Sequence, residues 1–554
     1  MEPEIVEIAS KDLDGLDRLR SRRRALTALF AASTAAIPAH AGGIGKPMGV
    51  LINASDFGVA ADGVTDDAPA LRRAMAAIKD GCALILPPGT IALGSPGWTG
   101  LSIERQKNIC IQGNATTLKW LSQPSQATGP FGPTGLRLLG CKNASVRDVQ
   151  IDGNGIDCIG LGLESCDRCV VSGVEAFAHG AANGRGLGQL VSCRGRDNAW
   201  LDCCSRDSTR GSQFRGFYLG NGNSGWGETD LRIQGCCARD NDATGFAIGA
   251  AGLICAGSMA ANNVGAGFIS GTAKGSGSTD HLFIGNISRG NAFHGWQTDV
   301  YGPNAERVVL SGNNFSNNAH CGALCHKGTD IAICGNVFIN NGESTRAGAI
   351  EISSSNRVTI TDNLIRGDAA HGVCISTAMN TNRVNDLIIA NNQWVGSAAK
   401  TVWLEALDSG CSLTQICCNA NTVTGGTHGL YLGTSAPGAI IDNVIVSNNI
   451  ASGTSVAGFA LMDHALGQST NVRFIGNSGS QPLTTSHGVP AANANNSWNP
   501  LVSYGKAFPE TGNWLQGTVV YNTEPSPGSP IGWVCTAGGT PGSWRRFGLI
   551  SMEN

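Results

Sequence analysis

A short apolar strand ending in a tight turn returns along most of this chain. It reads Ile151 to Asn154, Phe283 to Asn286, Leu310 to Asn313, Ile333 to Asn336 and Ile360 to Asn363. It continues as Ile389 to Asn392, Ile416 to Asn419, Val446 to Asn449 and Phe474 to Asn477, with degenerate copies at Val174, Cys204, Cys236 and Ser258. Successive steps run from 20 to 32 residues. Self-similarity at that period marks a repeat architecture in which each unit buries its apolar side only against its neighbours. Each copy carries a second strand, opening on glycine, in Gly245-Phe246-Ala247-Ile248, Gly295-Trp296, Gly372-Val373 and Gly458-Phe459. Phe246/Ile248, Val373/Ile375, Leu430/Leu432 and Phe459/Leu461 alternate with freely varying residues, the period of a strand with one buried face. Two or three short strands per unit, with no helix between them, predict an all-β coil of a parallel β-helix. The recurring Asn is expected to stack on itself from coil to coil, each amide bonding the next.

Composition agrees with many tight turns. There are 77 glycines, and charged residues make up 14%. A net charge of −3 excludes a broadly basic surface for nucleic acid. The 20 cysteines do not form a small stapled domain, because the chain is long enough to bury a core. Cys166 and Cys169 make a CxxC with no second pair at zinc-ribbon spacing. The vicinal pairs Cys203-Cys204, Cys236-Cys237 and Cys417-Cys418 read as equivalent repeat positions, so the thiols are expected to serve as small hydrophobes in a stack. Pairing between adjacent coils stays open.

Residues 1–41 read as an export signal: Arg22-Arg23-Arg24, a mildly apolar run from Ala25 to Ala36, and the small-x-small site Ala39-His40-Ala41. The run is too short for a membrane span. Its paired arginines resemble a twin-arginine signal, which implies a folded protein delivered to the periplasm or beyond.

After it come Asp56-Phe57-Gly58-Val59, then Asp62-Gly63-Val64-Thr65-Asp66-Asp67, then Ala70 to Met75 and Leu84 to Thr90. This segment resembles the start of the pectate-lyase-like, right-handed parallel β-helix superfamily. The resemblance implies a polysaccharide-acting protein, in company with polygalacturonase-type hydrolases, polysaccharide lyases, epimerases and phage tailspikes. It also implies Ca²⁺ if the chemistry is that of a lyase. Thr65 or Asp66 can cap a helix with Leu71, Met75 and Ile78 on one stripe, covering the open first coil. The organisation expected is thus a cap segment over 50–95, a β-helix over 96–498 and a small β module over 508–554. That module reads as a cap, an oligomerisation element, or a glycan-binding unit using Trp533 and Trp544.

Aligning the coils on the turn residue exposes one outward column: Gly249, Gly271, Asp299, His326, Glu351, Ser376 and Glu405. Glu351 joins it on the reading that its coil has a longer loop, and Gly433 falls one residue out of step. At a coil spacing of about 4.8 Å, Asp299 and Glu351 would stand about 9–10 Å apart. Paired carboxylates at such a distance suit inverting hydrolysis of a sugar linkage. His326 or Lys327 abstracting a proton beside a uronate carboxylate would instead give lyase chemistry. The richness in carboxylates favours hydrolysis. Catalytic candidates are therefore Asp299, His326, Glu351, Glu405 and Lys327; binding candidates are Trp403, Tyr431, Tyr218, Gln297 and Ser376. Asp152, Glu164, Arg215, Trp226 and Glu228 are weaker. The function expected is that of an exported polysaccharide-processing enzyme, a glycoside hydrolase or polysaccharide lyase acting on a uronic-acid-containing glycan, as a monomer or homotrimer. The alternative is a non-catalytic adhesin or tailspike-like receptor binder.

Overall fold

The ladder position explains the Gly-Asn signature. In the computed structural model, Asn286, Asn313, Asn336, Asn363, Asn392, Asn421, Asn449 and Asn477 form a continuous buried stack. Each amide nitrogen donates to the Oδ1 of the Asn one coil on, and that Oδ1 also accepts the backbone N–H of the first Asn, as Asn336 does to Asn363 at 3.0 Å in both bonds. The residue just before each ladder Asn has positive φ, as in Gly312 (62°), Gly335 (64°) and Asp362 (57°). That left-handed turn favours Gly, Asn or Asp. A second stack runs five residues later through Asn241, Asn263, Asn291, Asn318 and Asn341. The stacks close both ends of a three-residue strand, so its buried backbone groups find partners.

The structure describes residues 49–551, except 95–97, 126–131, 182–187, 221–226, 272–278, 299–303, 343–347, 368–370, 376–382, 397–398, 464–467, 480–482, 487–491, 495, 497–501, 511–513, 515 and 540. The export signal expected over 1–41 lies outside them. Three details of the repeat differ from the sequence reading. Asn154 is exposed and donates to the Trp120 carbonyl rather than joining the stack. Asn421, not Asn419, holds the ladder place, because Ile389 pairs with Cys418. Cys203 rather than Cys204 stacks with Cys236, since Cys204 pairs with Cys237 on the next strand. Cys417-Cys418 therefore sits in the strand before the turn, unlike the other two vicinal pairs.

Each coil gives strands to two parallel sheets, one 31-stranded and one 15-stranded among the described residues. Inward positions of the 15-stranded sheet stack in register as Phe217, Phe246, Phe268, Trp296, Ala323, Ile350, Val373, Val402, Leu430 and Phe459, all buried. The Phe217, Phe246 and Phe268 rings lie nearly parallel at 4.6 and 4.9 Å, so like packs on like along the axis.

The cap segment is partly made of coils. Leu51–Asn53 and Ala83–Ile85 already pair with each other, and Gly89–Leu93 pairs with Cys110–Trp120. The helix is Ala68–Ala76, with Leu71 and Met75 buried and Ile78 buried just beyond its end. Its N-cap is Asp67 rather than Thr65 or Asp66. Thr65 instead bonds back to Asp62, while Asp66 accepts the Ala68 amide and the buried Asp67 carboxylate accepts those of Ala60 and Ala61. At the other end, Val502–Gly505, Val519–Asn522, Pro530–Ala537 and Ser543–Leu549 form a separate four-stranded sheet. All twenty cysteines are free thiols.

Candidate functional site

The outward side of the 15-stranded sheet presents two parallel columns, because strand side chains alternate. One column runs Gln297, Leu324, Glu351, Cys374, Trp403 and Tyr431 in register. The other holds His326 against Ser353, and further on Glu405 against Gly433 and Met462. Glu351 thus stands in the first column, not stacked on His326. His326 lies 13 residues after Asn313, whereas Ser353 lies 17 after Asn336, so this coil carries four extra residues ahead of its strand rather than two. Gly433 is in step with Glu405. Asp299 and Ser376 lie outside the described residues, as does Trp226.

The densest chemistry is around Lys400, which the sequence reading missed. Its Nζ lies 3.4 Å from the centroid of the Tyr431 ring and 4.7 Å from that of Trp403. It also donates to Glu405 Oε2 at 3.1 Å. Trp403 Nε1 donates to the same oxygen, and Ser435 Oγ to Oε1. Glu405 is thereby buried with both oxygens engaged, one of them by the ammonium that lies over the two rings. Partial burial lowers the Lys400 pKa, opposed by Glu405, and pushes the Tyr431 phenol up to about 12. The His371 ring lies 4.4 Å from Trp403, and the His428 ring 5.5 Å from Tyr431.

A sequence signal for these groups exists. Lys400, His371 and His428 share one column with His294 and Cys321, each two residues ahead of an inward core residue. In four of the five the next residue is the glycine that opens the strand. Reading only the residues after that glycine conceals them.

Glu351 is half-buried, two coils from Trp403, or about 10 Å along the axis. Cys321 Sγ donates to its Oε2 at 2.9 Å, and the half-buried His320 feels its charge. His326 is buried, with Nδ1 3.1 Å from Ser353 Oγ. Lys327 is exposed in a left-handed turn. Gln297 is buried, while Tyr218 lies under the Arg215 guanidinium at 4.9 Å. Eight coils, about 38 Å, separate Tyr218 from Tyr431, so the two do not share a site.

The weaker candidates have structural partners. Asp152 accepts the Asn154 amide, and Glu164 is ion-paired with Arg137 and, at 3.7 Å, Arg194. Among the described residues no three His, Cys, Asp or Glu converge to hold a metal ion.

Glu228 is fully buried, accepting from Ser192 Oγ and, at 2.7 Å, from Asn198 Nδ2. Burial outweighs those two bonds and raises its pKa from the ordinary 4.5. The folded state binds this proton more tightly than the unfolded chain. Its contribution is therefore fully present below about pH 4.5 and is lost as pH rises through the folded pKa. Glu228→Gln should unfold at higher urea than wild type at pH 7, with the gap closing towards pH 4.5. A gap that ignores pH contradicts the account.

In the module at the other end, Trp533 and Trp544 lie on one face of an antiparallel pair. Trp544 meets Trp514 edge-on at 5.4 Å and donates its indole N–H to the Pro541 carbonyl. No helix among the described residues is long and apolar enough to cross a membrane.

Residues 272–393 match the family model of the right-handed β-helix region. No curated protein matches the sequence. Among solved structures, the tailspike protein of E. coli bacteriophage HK620, in complex with a pentasaccharide, is similar over 90% of this chain and 92% of its own, at 11% identity and a TM-score of 0.56. The A-module of a mannuronan C-5 epimerase from Azotobacter vinelandii is similar over 63% of this chain and 96% of its own, at 18% identity and a TM-score of 0.50. These likenesses, with two parallel sheets wound from every coil, show that the chain has the right-handed parallel β-helix fold.

Proposed function

We propose that this chain is an exported polysaccharide-processing enzyme that holds its glycan along the outer face of the 15-stranded sheet. The observation that carries the reading is Lys400, fixed by Glu405 over two in-register aromatic rings, two coils from the half-buried Glu351. Sugar rings rest against the aromatic edge of this face, and the ammonium attracts an acidic sugar such as a uronate. Glu351 is the carboxylate that moves a proton at the linkage, as hydrolysis requires. His326 and Lys327 are the bases for the alternative, elimination. Export, to the periplasm or outside the cell, rests on the arginine-led segment before Ala41.

A panel of neutral and acidic glycans tests the reading, followed by reducing-end release and by absorbance near 235 nm. New reducing ends without that absorbance are expected. An unsaturated product replaces hydrolysis by lyase chemistry. Binding without any turnover supports the second reading, a tailspike-like or adhesin-like glycan binder, monomeric or trimeric. That reading is favoured by the likeness to a tailspike described with a bound pentasaccharide.

A further inference from the structure

Four thiols meet at one corner of two adjacent coils. Cys203 and Cys236 point inward and are buried, while Cys204 and Cys237 point outward and are half-buried. The outer two are direct partners in the parallel ladder, Cys204 against Cys237. Their side chains therefore lie side by side across the coil boundary. Of the five half-buried cysteines, Cys110, Cys334 and Cys417 have no thiol beside them in register: their neighbours are Ala83 and Ser145, Ser311 and Thr361, and Ile388 and Ile445. Adjacent parallel strands hold paired Cα atoms about 4.8 Å apart, inside the range that a disulfide spans.

We propose that Cys204 and Cys237 are a redox-active pair that closes into a cross-coil disulfide when the protein meets a small-molecule disulfide oxidant. The surroundings choose the attacking sulfur. The adjacent Cys204 thiol, with Arg239 and Arg289 nearby, holds the Cys237 thiol below its ordinary value, while the adjacent Cys237 and burial push that of Cys204 up. Arg239 is two residues along from Cys237 on the same outward side, in register with Arg206. The Cys237 thiolate attacks one sulfur of the oxidant, forming a mixed disulfide and expelling one thiolate. Cys204, giving up its proton, then attacks the Cys237 sulfur and expels the second. Two protein thiols are oxidised by two electrons, the oxidant is reduced to two thiols, and the two protons end on those leaving groups. The inner pair sits behind this one, buried from such an oxidant.

The function of such a bond is to clamp covalently two coils that are otherwise held by hydrogen bonds and packing. It closes a loop of 34 residues, 204 to 237 inclusive. The test uses the full, folded chain with oxidised glutathione, followed by alkylation of remaining thiols and peptide mapping at acid pH. A Cys204–Cys237 linked peptide is expected, with a mass loss of about 2 Da and a higher Tm than the reduced form. Cys237→Ser should leave Cys204 alkylatable, and Cys204→Ser should trap glutathione on Cys237. Both residues remaining free under conditions that cross-link the urea-unfolded chain overturns the proposal. So does a bond to Cys203 or Cys236 instead, or a stable glutathione adduct on wild-type Cys237.

Discussion

Asn363→Ala is expected to destabilise the β-helix by about 3–5 kcal/mol, the largest effect of any single polar substitution proposed for this chain. Asn363 is buried, and its side chain makes four hydrogen bonds. Its Oδ1 accepts the backbone and side-chain N–H groups of Asn336, and its Nδ2 donates to the Ile333 carbonyl and to Asn392 Oδ1. Alanine removes the partner of both Asn336 donors and of the Ile333 carbonyl at a buried position. Each stranded buried group costs about 1–3 kcal/mol, which sets the scale. Asn363→Asp separates hydrogen bonding from size. It preserves the acceptor but turns an oxygen on the Ile333 carbonyl, so it should rescue little at neutral pH. The urea midpoint measures the first effect, and hydrogen exchange at the Asn336 amide shows whether the loss is local. In a solenoid such damage can melt a few coils without the rest, so broadening of the transition is part of the expectation. An unchanged midpoint would mean that the ladder only follows turn preference.

The second large effect is on turnover. Glu351→Gln should lower kcat by about 10² to 10⁴ with little change in glycan Kd, the range for removing a positioned general acid or base. The choice of Glu351 over Glu405 follows from their partners. Glu405 is buried with both oxygens taken by Ser435, Trp403 and Lys400. Glu351 is half-buried and accepts from the Cys321 thiol, a weak donor. Lys400→Met should reverse the pattern, weakening binding of an acidic glycan more than it slows turnover, because it removes a cation from the rings and not a proton carrier. Kinetics on the glycan selected by the panel, with binding measured separately, distinguish the two. Equal loss of binding in both variants counts against Glu351 as the reacting carboxylate.

The repeat was legible because its signals are local. A residue of positive φ followed by a buried Asn needs only two adjacent positions, and the inward alternation of Phe246/Ile248 or Leu430/Leu432 needs only four. Chain sterics and burial act there at short range, so spacing alone announces a β-helix and its approximate coils. Registry between coils is different. The displaced Glu351, the exchange of Asn419 for Asn421 and the swap of Cys204 for Cys203 are all errors of one to two residues in counting across loops.

What the amino-acid order determined by itself was the solenoid, its inward-facing core and the face to search. Which side chains meet on that face was decided only in three dimensions. Loop insertions are absorbed at the corners, and the cross-coil hydrogen bonds then choose the register that keeps the stacked asparagines paired. Lys400 reaches Trp403, Tyr431 and Glu405 through that register. A long flexible side chain settles where its charge and stem find partners, and no spacing rule along the chain contains that outcome.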